Sequence, residues 1–212
     1  MKKTFLLLSV LALVGAGCIN STDENLIKAN DVNISDQTQS DEKPEIEGYK
    51  ASWAFPGQLS DETIQNKQVR IQTEYGDIVF ELFADTAPLT VSNFVYLTSN
   101  TYYNGLTFHR REEGFVIQGG DPIGNGTGGP GYKFEDEVDD EYTYDRGIVA
   151  MANSGPNTNG SQFFIMLADV PLPKAYSIFG RVTEGLDVVD KIQVGDKMNF
   201  VTIEDAETET EE

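Results

Sequence analysis

The most informative segment of this chain is LTFHRREEGFVIQGGDPIGNGTGGPG, residues 106–131. It carries the only histidine, His109, beside two arginines, and it ends in a glycine-rich run. A second stretch, VAMANSGPNTNGSQFFIML at residues 149–167, places a short apolar run after glycine and asparagine. Short apolar runs bounded by such residues are typical of strands joined by tight turns. The centre of the chain is therefore predicted to be β-structure.

The glycine run at residues 124–129, GNGTGG, matches the pattern of a dinucleotide-binding loop. That pattern binds phosphate only when a strand precedes it and a helix follows it. Here Pro130 and Gly131 follow, and they cannot open a helix in the required way. We therefore exclude nucleotide binding. The glycines either let backbone pass close to a bound peptide or form consecutive tight turns.

Outside these two stretches, alternation of apolar and polar residues predicts further strands. Residues 69–73 and 78–83 alternate on either side of a turn and predict a hairpin. A helix is expected to open at Pro88, capped by Asp85 or Thr86, and residues 185–193 support a second helix. The remaining strands are predicted at residues 107–110, 115–118, 148–151, 162–166, 177–182 and 198–203. These elements predict a mainly β protein, a closed antiparallel barrel capped by two helices.

Together the two stretches resemble the signature segments of the cyclophilin-type peptidyl-prolyl isomerases. The residues that carry the resemblance are Phe108, His109, Arg110, Gly114, Phe115, Gln118, Gly119, Gly120 and Asp121, then Met151, Ala152, Asn153, Gly160, Ser161, Gln162, Phe163, Phe164 and Ile165. Two long motifs in the expected order are more specific than one short pattern. The resemblance covers residues 69–206. It implies an eight-stranded cyclophilin-like barrel that isomerises X–Pro peptide bonds and needs no cofactor or metal ion.

Arg110 is the predicted catalytic residue. A partly buried guanidinium needs a partner because its charge is costly to desolvate, and Gln118 and Gln162 are the candidates that would aim it. The apolar side chains expected to form a slot of proline-ring size are those of Phe115, Val116, Phe164 and Leu172. The resemblance also places Gln118, Gln162 and Tyr176 around the proline ring, and it places backbone groups of Ala152, Asn153 and Ser154 against the residues before proline.

Two positions depart from the family pattern. Many members carry a tryptophan on the rim of the proline pocket, where cyclosporin also binds, whereas the only tryptophan here is Trp53, outside the predicted barrel. Tyr176 stands where several members have histidine, which leaves the pocket with little response to pH.

Two further features have structural interpretations. His109 has no nucleophile arranged beside it, so we interpret it as a hydrogen-bonded structural residue behind the site. Six acidic side chains crowd residues 135–141, but a calcium loop needs ligands at alternate positions and a central glycine. We therefore predict a solvated loop there.

The N-terminus predicts export. Residues 1–17 have the layout of a bacterial signal peptide, with two lysines, an apolar run and three small residues. Cys18 follows directly and resembles the lipidated first residue of a mature lipoprotein; ordinary signal cleavage with an incidental cysteine is the alternative.

Residues 18–47 are polar and acidic and predict a disordered tether. Residues 48–68 are rich in aromatic side chains and are expected to pack on the domain, whereas 207–212 form an acidic tail.

The 212 residues carry 35 acidic and 15 basic side chains, a formal charge of −20, which argues against a nucleic-acid partner. One cysteine cannot form an intramolecular disulfide, and one cysteine with one histidine cannot supply the usual zinc ligands.

From the two motifs and the N-terminal signal we expect a monomeric prolyl isomerase, lipid-anchored to a bacterial membrane outside the cytoplasm. Its expected partners are proline-containing peptides, unfolded exported proteins and, through the lipid, the bilayer. A non-catalytic peptide-binding adaptor and a chaperone acting through residues 48–68 are the alternatives.

Overall fold

The computed structural model describes residues 53–138 and 141–206, all of which belong to one compact unit, Glu45–Glu212. The predicted signal peptide, Cys18, the tether, residues 48–52 and the acidic tail lie outside the described residues. Within the described ranges, no helix is both long enough and apolar enough to span a bilayer.

One sheet of eight strands dominates the fold, and neighbouring strands pair antiparallel throughout. The strands are β1 (Lys67–Thr73), β2 (Gly76–Leu82), β3 (Arg110–Glu112), β4 (Val116–Gly119), β5 (Ile148–Met151), β6 (Phe163–Met166), β7 (Ile178–Glu184) and β8 (Phe200–Asp205). Their order across the sheet is β3-β4-β6-β5-β7-β2-β1-β8. The mainly β prediction and the β1–β2 hairpin are confirmed.

The two end strands of this order, β3 and β8, do not form a ladder with each other among the described strands. Residues just before each strand meet instead, through a bridge between Thr107 and Lys197 and a hydrogen bond from Met198 N to Leu106 O at 2.8 Å. This pairing uses the backbone of residues 105–108, which explains why β3 begins at Arg110 and not at 107 as predicted. Full closure of the barrel stays a prediction.

Alternation along the strands divides the interior into two apolar clusters. Ile117 and Ile165 belong to the main core, in which Phe94 lies 4.7 Å from Tyr103 between ring centroids. Their neighbours Val116 and Phe164 point to the opposite face and join a smaller cluster. The smaller cluster, with its partly buried rim, is the face on which the predicted site residues gather: Phe115, Val116, Ala152, Phe164, Leu172 and Tyr176.

The described residues contain three helices: α1 (Asp61–Ile64), α2 (Pro88–Ser99) and α3 (Leu186–Lys191). The α2 and α3 helices are the two that were predicted, whereas the single turn of α1 was not. Pro88 opens α2 as expected, but the predicted caps are wrong, because the N-cap residue is Ala87 and no side chain of that residue caps the helix.

A distant carboxylate caps α2 instead. Glu137 accepts hydrogen bonds from Leu89 N at 2.9 Å, from Thr90 N at 2.7 Å and from the Thr90 hydroxyl at 2.7 Å. The first N–H groups of a helix have no partner within it, and a negative charge there is favourable. This part of the acidic cluster is therefore a structural cap, and the solvated-loop prediction is wrong for Glu137.

Residues 53–64 form a segment that we call the N-terminal strap. Trp53, Phe55 and Leu59 pack against the main core, and Ile64 in α1 is fully buried within it. The described part of the aromatic segment thus packs on the domain, as predicted.

Candidate active site

Strand register brings the central site residues into one row. Arg110 on β3 pairs with Gln118 on β4, Gln118 pairs with Phe164 on β6, and Phe164 pairs with Ala150 on β5. Residues paired directly across antiparallel strands project to the same side of a sheet. The row therefore places a guanidinium, a carboxamide and an aromatic ring side by side on one face.

Arg110 is held on three sides. Its Nη1 donates to Gln118 Oε1 at 3.1 Å, its Nη2 contacts the Glu112 carboxylate, and its guanidinium carbon lies 5.7 Å from the centroid of the Phe115 ring. Its side chain is 45 % exposed, so the ion pair with Glu112 contributes little to stability. These contacts restrict the direction of the guanidinium while leaving it open to a ligand. Glu112 is not among the predicted site residues, although its spacing of two residues from Arg110 along a strand places both side chains on one face.

Gln162 supports Arg110 only indirectly. Gln118 Nε2 donates to Gln162 Oε1 at 3.0 Å, and Gln162 Nε2 donates in turn to the carbonyl oxygens of Gly126 and Gly128 at 3.0 and 2.9 Å. The expectation that both glutamines contact the guanidinium is thus right for Gln118 and wrong for Gln162. The chain of hydrogen bonds ties Arg110 to the glycine loop, which we define as residues 124–131.

A slot of about 190 Å³ opens beside the guanidinium. Phe164 forms its floor, 6 % exposed, and the Tyr176 ring stands edge-on to it with centroids 5.5 Å apart. The slot is small and has three aromatic and three aliphatic side chains in its lining, which suits a compact apolar ring. We call it the apolar slot, and its lining comprises Arg110, Phe115, Val116, Gln118, Ala152, Asn153, Phe164, Leu172 and Tyr176.

A larger groove of about 810 Å³ adjoins the apolar slot, and the two share Gln118, Ala152 and Asn153. Its walls are the glycine loop on one side and residues 152–162 on the other. Ser154 and Gln162 line this groove and not the slot. The predicted site residues therefore divide into a ring-sized slot and a neighbouring channel wide enough for an extended backbone.

Asp121 holds the glycine loop in place through hydrogen bonds to its backbone. Its buried carboxylate accepts hydrogen bonds from the backbone N–H groups of Ile123, Asn125, Gly126 and Gly128. Burial alone would raise the pKa of Asp121, but these donors outweigh it and hold the pKa below its ordinary value of 3.8. A Cβ at position 128 would lie 1.9 Å from Asp121 Oδ1, so only glycine fits there. The glycines thus form consecutive tight turns around a carboxylate.

His109 lies half-buried on the far side of the glycine loop, where a Cβ at position 126 would lie 3.9 Å from its Nε2. Neither imidazole nitrogen has a hydrogen-bond partner among the described residues, so the prediction of a hydrogen-bonded histidine is wrong. Burial lowers the pKa of His109, against the opposing charge of Asp121. His109 does not line the apolar slot, which argues against a catalytic role.

A second acidic residue also has a structural role. Asp136 accepts hydrogen bonds from Asn157 N and Asn159 Nδ2, both at 2.8 Å, and so fixes the loop between β5 and β6. In the same loop, Asn153 Nδ2 donates to Ala175 O at 2.8 Å. These contacts set the wall shared by the slot and the groove. Local sequence patterns do not predict these contacts, because the partners are about 20 residues apart along the chain.

The site supplies a positioned cationic donor beside an apolar slot and a peptide-wide groove. The slot holds no activated nucleophile, since its lining contains no serine, threonine or cysteine. Among residues 53–138 and 141–206, no group of three or more His, Cys, Asp and Glu side chains is arranged to hold a metal ion. Such a site can stabilise a polar change in a bound ring-containing peptide without covalent chemistry.

Comparisons with known proteins agree with this chemistry. The family model for "Cyclophilin type peptidyl-prolyl cis-trans isomerase/CLD" matches residues 68–209. The chain is 48 % identical over 130 residues to "Peptidyl-prolyl cis-trans isomerase-like 3" of Gallus gallus, a match that spans 59 % of this chain and 81 % of that protein. It is 46 % identical over 145 residues to a peptidyl-prolyl cis-trans isomerase of Helicobacter pylori, spanning 66 % of this chain and 89 % of that protein.

Two solved structures of a cyclophilin-type isomerase of Cryptosporidium parvum are also similar. The first has a TM-score of 0.62 at 39 % identity and covers 65 % of this chain and 97 % of that one. The second, determined in the presence of the dipeptide Ala-Pro, has a TM-score of 0.59 at 39 % identity and covers 66 % of this chain and 99 % of that one.

Proposed function

This chain belongs to the cyclophilin-type peptidyl-prolyl cis-trans isomerase family, and we propose that it isomerises X–Pro bonds of exported proteins with Arg110 as its catalytic residue. The single observation that carries this role is the placement of the Arg110 guanidinium on the rim of the apolar slot, aimed by Gln118 at 3.1 Å. A proline ring seated on Phe164 would present its nitrogen to that donor.

The physical task is rotation about an amide bond, with a barrier of about 18–20 kcal/mol. At the twisted transition state the amide loses its resonance, and the prolyl nitrogen becomes a better hydrogen-bond acceptor. A donor at that nitrogen therefore stabilises the twisted state more than either planar isomer, and that difference lowers the barrier. In this scheme Ala152, Asn153 and Ser154 hold the residues before proline along the groove, while the slot grips the ring.

The enzyme assignment is tested against the adaptor alternative by measuring cis–trans exchange of a short proline peptide by NMR. We expect exchange to accelerate with the full chain and to lose that acceleration with Arg110→Ala. Peptide binding without any acceleration would support a non-catalytic adaptor. The chaperone alternative is disfavoured by the strap, because the Trp53 and Phe55 rings are partly buried against other aromatic side chains.

Export and lipid anchoring extend the proposal to the N-terminus. Both steps are supported by the order of residues 1–18, in which a basic start, an apolar run and small residues precede Cys18. Cys18→Ser should shift the protein from the membrane fraction to the soluble fraction or leave its signal uncleaved. Unchanged partitioning of a correctly cleaved variant would rule lipidation out.

Barrel closure and the monomeric state complete the proposal. Closure between the ends of β3 and β8 is supported by the Thr107–Lys197 bridge and by the hydrogen bond from Gly105 N to Met198 O at 2.7 Å. A monomer is consistent with the net charge of −20, which opposes self-association. Analytical ultracentrifugation of the full chain in detergent measures its mass and so tests whether it is a monomer.

A further inference from the structure

The N-terminal strap precedes residue 68, where the match to the family begins, yet it packs against the back of the active site. The strap reaches the site wall by three routes. Each route ends at Gly160 or Ser161, immediately before Gln162.

The first route passes through the glycine loop. Trp53 N donates to Pro130 O at 2.8 Å, so the backbone of the strap is joined to the end of that loop. A Cβ at Gly160 would lie 3.2 Å from Pro130 Cδ. Pro130 is therefore packed between the strap and the backbone of Gly160.

The second route passes through a tyrosine hydroxyl. The Trp53 ring lies edge-on to Tyr102, with centroids 5.6 Å apart, and the Tyr102 hydroxyl is 2.9 Å from Ser161 Oγ. Ser161 Oγ donates its own proton to Gly120 O at 2.7 Å, so Tyr102 is the donor to Ser161. Ser161 is fully buried, and its side chain is held in place on both sides.

The third route begins at Phe55. Its ring stacks on Phe134 at 5.1 Å and lies 5.4 Å from Tyr132. The Tyr132 hydroxyl donates to Asn93 Oδ1 at 2.6 Å, and Asn93 Nδ2 donates to Gly160 O at 2.8 Å. Packing of Phe55 thus positions Tyr132, and Tyr132 orients the buried Asn93 carboxamide that donates to the Gly160 carbonyl.

We infer that the strap, through Trp53 and Phe55, is a positioning element for the catalytic arginine. The three routes fix the backbone that carries Gln162, Gln162 holds Gln118, and Gln118 aims Arg110. This inference rests on the proposed role of Arg110 and extends the catalytic unit to residues ahead of the family domain. Trp53 and Phe55 do not line the apolar slot, so they act through other residues.

The expected effect follows from the geometry of the donor. Misplacing a reacting group by about 1 Å from a distant mutation can cost roughly a hundredfold in rate. Each substitution removes only some of the contacts of the strap, so the displacement should be smaller. We therefore expect Trp53→Ala and Phe55→Ala each to lower kcat by roughly tenfold, less than the hundredfold loss for a displacement of about 1 Å. The KM for a proline peptide should change less than twofold, because the slot that binds the ring remains.

The experiment compares these variants with Ile64→Ala in the full chain. Ile64 is the last residue of the strap but belongs to none of the three routes. It is buried in the main core, so its truncation destabilises the domain while every residue of the routes remains. All variants are assayed well below their melting temperatures. We expect Trp53→Ala and Phe55→Ala to lose kcat and Ile64→Ala to keep it. Trp53→Phe should restore most of kcat, because an aromatic ring again packs against Tyr102.

Folded Trp53→Ala and Phe55→Ala variants with wild-type kcat would overturn the inference. So would a loss of kcat in Ile64→Ala equal to theirs at matched melting temperature, because that loss would reflect stability alone. Failure of the proposed function gives a different result: the wild-type chain would not accelerate exchange, or Arg110→Ala would leave it unchanged.

Discussion

Gln118 donates its carboxamide N–H to the side-chain oxygen of Gln162 across 3.0 Å. The orientation of this pair is set by the backbone, because Gln162 Nε2 faces the carbonyl oxygens of Gly126 and Gly128, which can only accept. Gln162 therefore presents oxygen to Gln118, and Gln118 presents its own oxygen to Arg110. The carbonyls of Gly126 and Gly128 thus determine the direction of the Arg110 guanidinium through the carboxamides of Gln162 and Gln118.

Gln162→Glu tests this polarity with almost no change in shape. A carboxylate cannot donate to Gly126 O and Gly128 O, so both contacts become repulsive while the acceptor toward Gln118 remains. We expect the variant to lose about 0.5–1.5 kcal/mol of unfolding free energy for each of the two hydrogen bonds, because these contacts are at most partly buried. Chemical denaturation measures this loss, and catalysed exchange should fall with it. A variant with unchanged stability and exchange would contradict the orientation described here.

Arg110→Lys separates charge from geometry. Loss of a preorganised donor costs about 2.7–4 kcal/mol of transition-state stabilisation, so Arg110→Ala should lower kcat roughly a hundredfold to thousandfold. Lysine keeps the charge but lacks the planar fork that contacts both Gln118 and Glu112, so it should restore kcat only partly. Exchange kinetics at saturating peptide provide the measurement. Full activity in Arg110→Lys would show that charge alone is sufficient.

Phe164→Ala should have the opposite kinetic signature. Phe164 floors the apolar slot and is 6 % exposed, so its truncation removes the surface that holds the proline ring in every state. We expect KM to rise and kcat/KM to fall, with a loss of about 3–5 kcal/mol in stability from the cavity. Phe164→Leu, which fills part of the cavity, is the matched control. A change confined to kcat would be inconsistent with a binding role.

Glu137→Gln should destabilise the domain through α2. The carboxylate accepts from Leu89 N, Thr90 N and the Thr90 hydroxyl, and removing a helix cap typically costs about 0.5–2 kcal/mol. Glu135→Gln, two residues earlier and exposed, removes the same charge without the cap and serves as the control. Thermal unfolding should show a lower Tm for Glu137→Gln only. Equal Tm values for the two variants would argue against the cap.

Asp121 should contribute stability that depends on pH. Its folded-state pKa lies below the ordinary value of 3.8, so the ionised carboxylate favours the folded state. The contribution is complete above about pH 4 and is lost as the pH falls through the lowered pKa. Asp121→Asn, which cannot accept from all four backbone donors, should be less stable than wild type at neutral pH, and the gap should narrow in acid. A gap that stays constant from pH 7 to pH 2 would exclude this linkage.

The fold class and most of the apolar slot could be predicted from local patterns. Alternation along β4 and β6 puts Val116, Gln118 and Phe164 on one face, and the two motifs identify the strands that carry them. The errors fall where a partner lies far along the chain. Gln162 bonds to carbonyls 34 and 36 residues away, and Glu137 caps a helix 47 residues before it. No periodicity within either segment carries that information.

Which side chains share a face within each strand follows from the amino-acid sequence alone, because a strand has a side-chain period of two; Val116 and Gln118 on β4 are an example. Strand pairing then joins Arg110, Gln118 and Phe164 into one row. The contacts behind that row depend on tertiary packing. The route from Trp53 through Tyr102 to Ser161 joins three segments that are separate in sequence, and each contact exists only after the sheet has curled and α2 has docked. Hydrogen bonds and ring contacts act over a few ångströms, so they are settled by which loops the folded chain brings together.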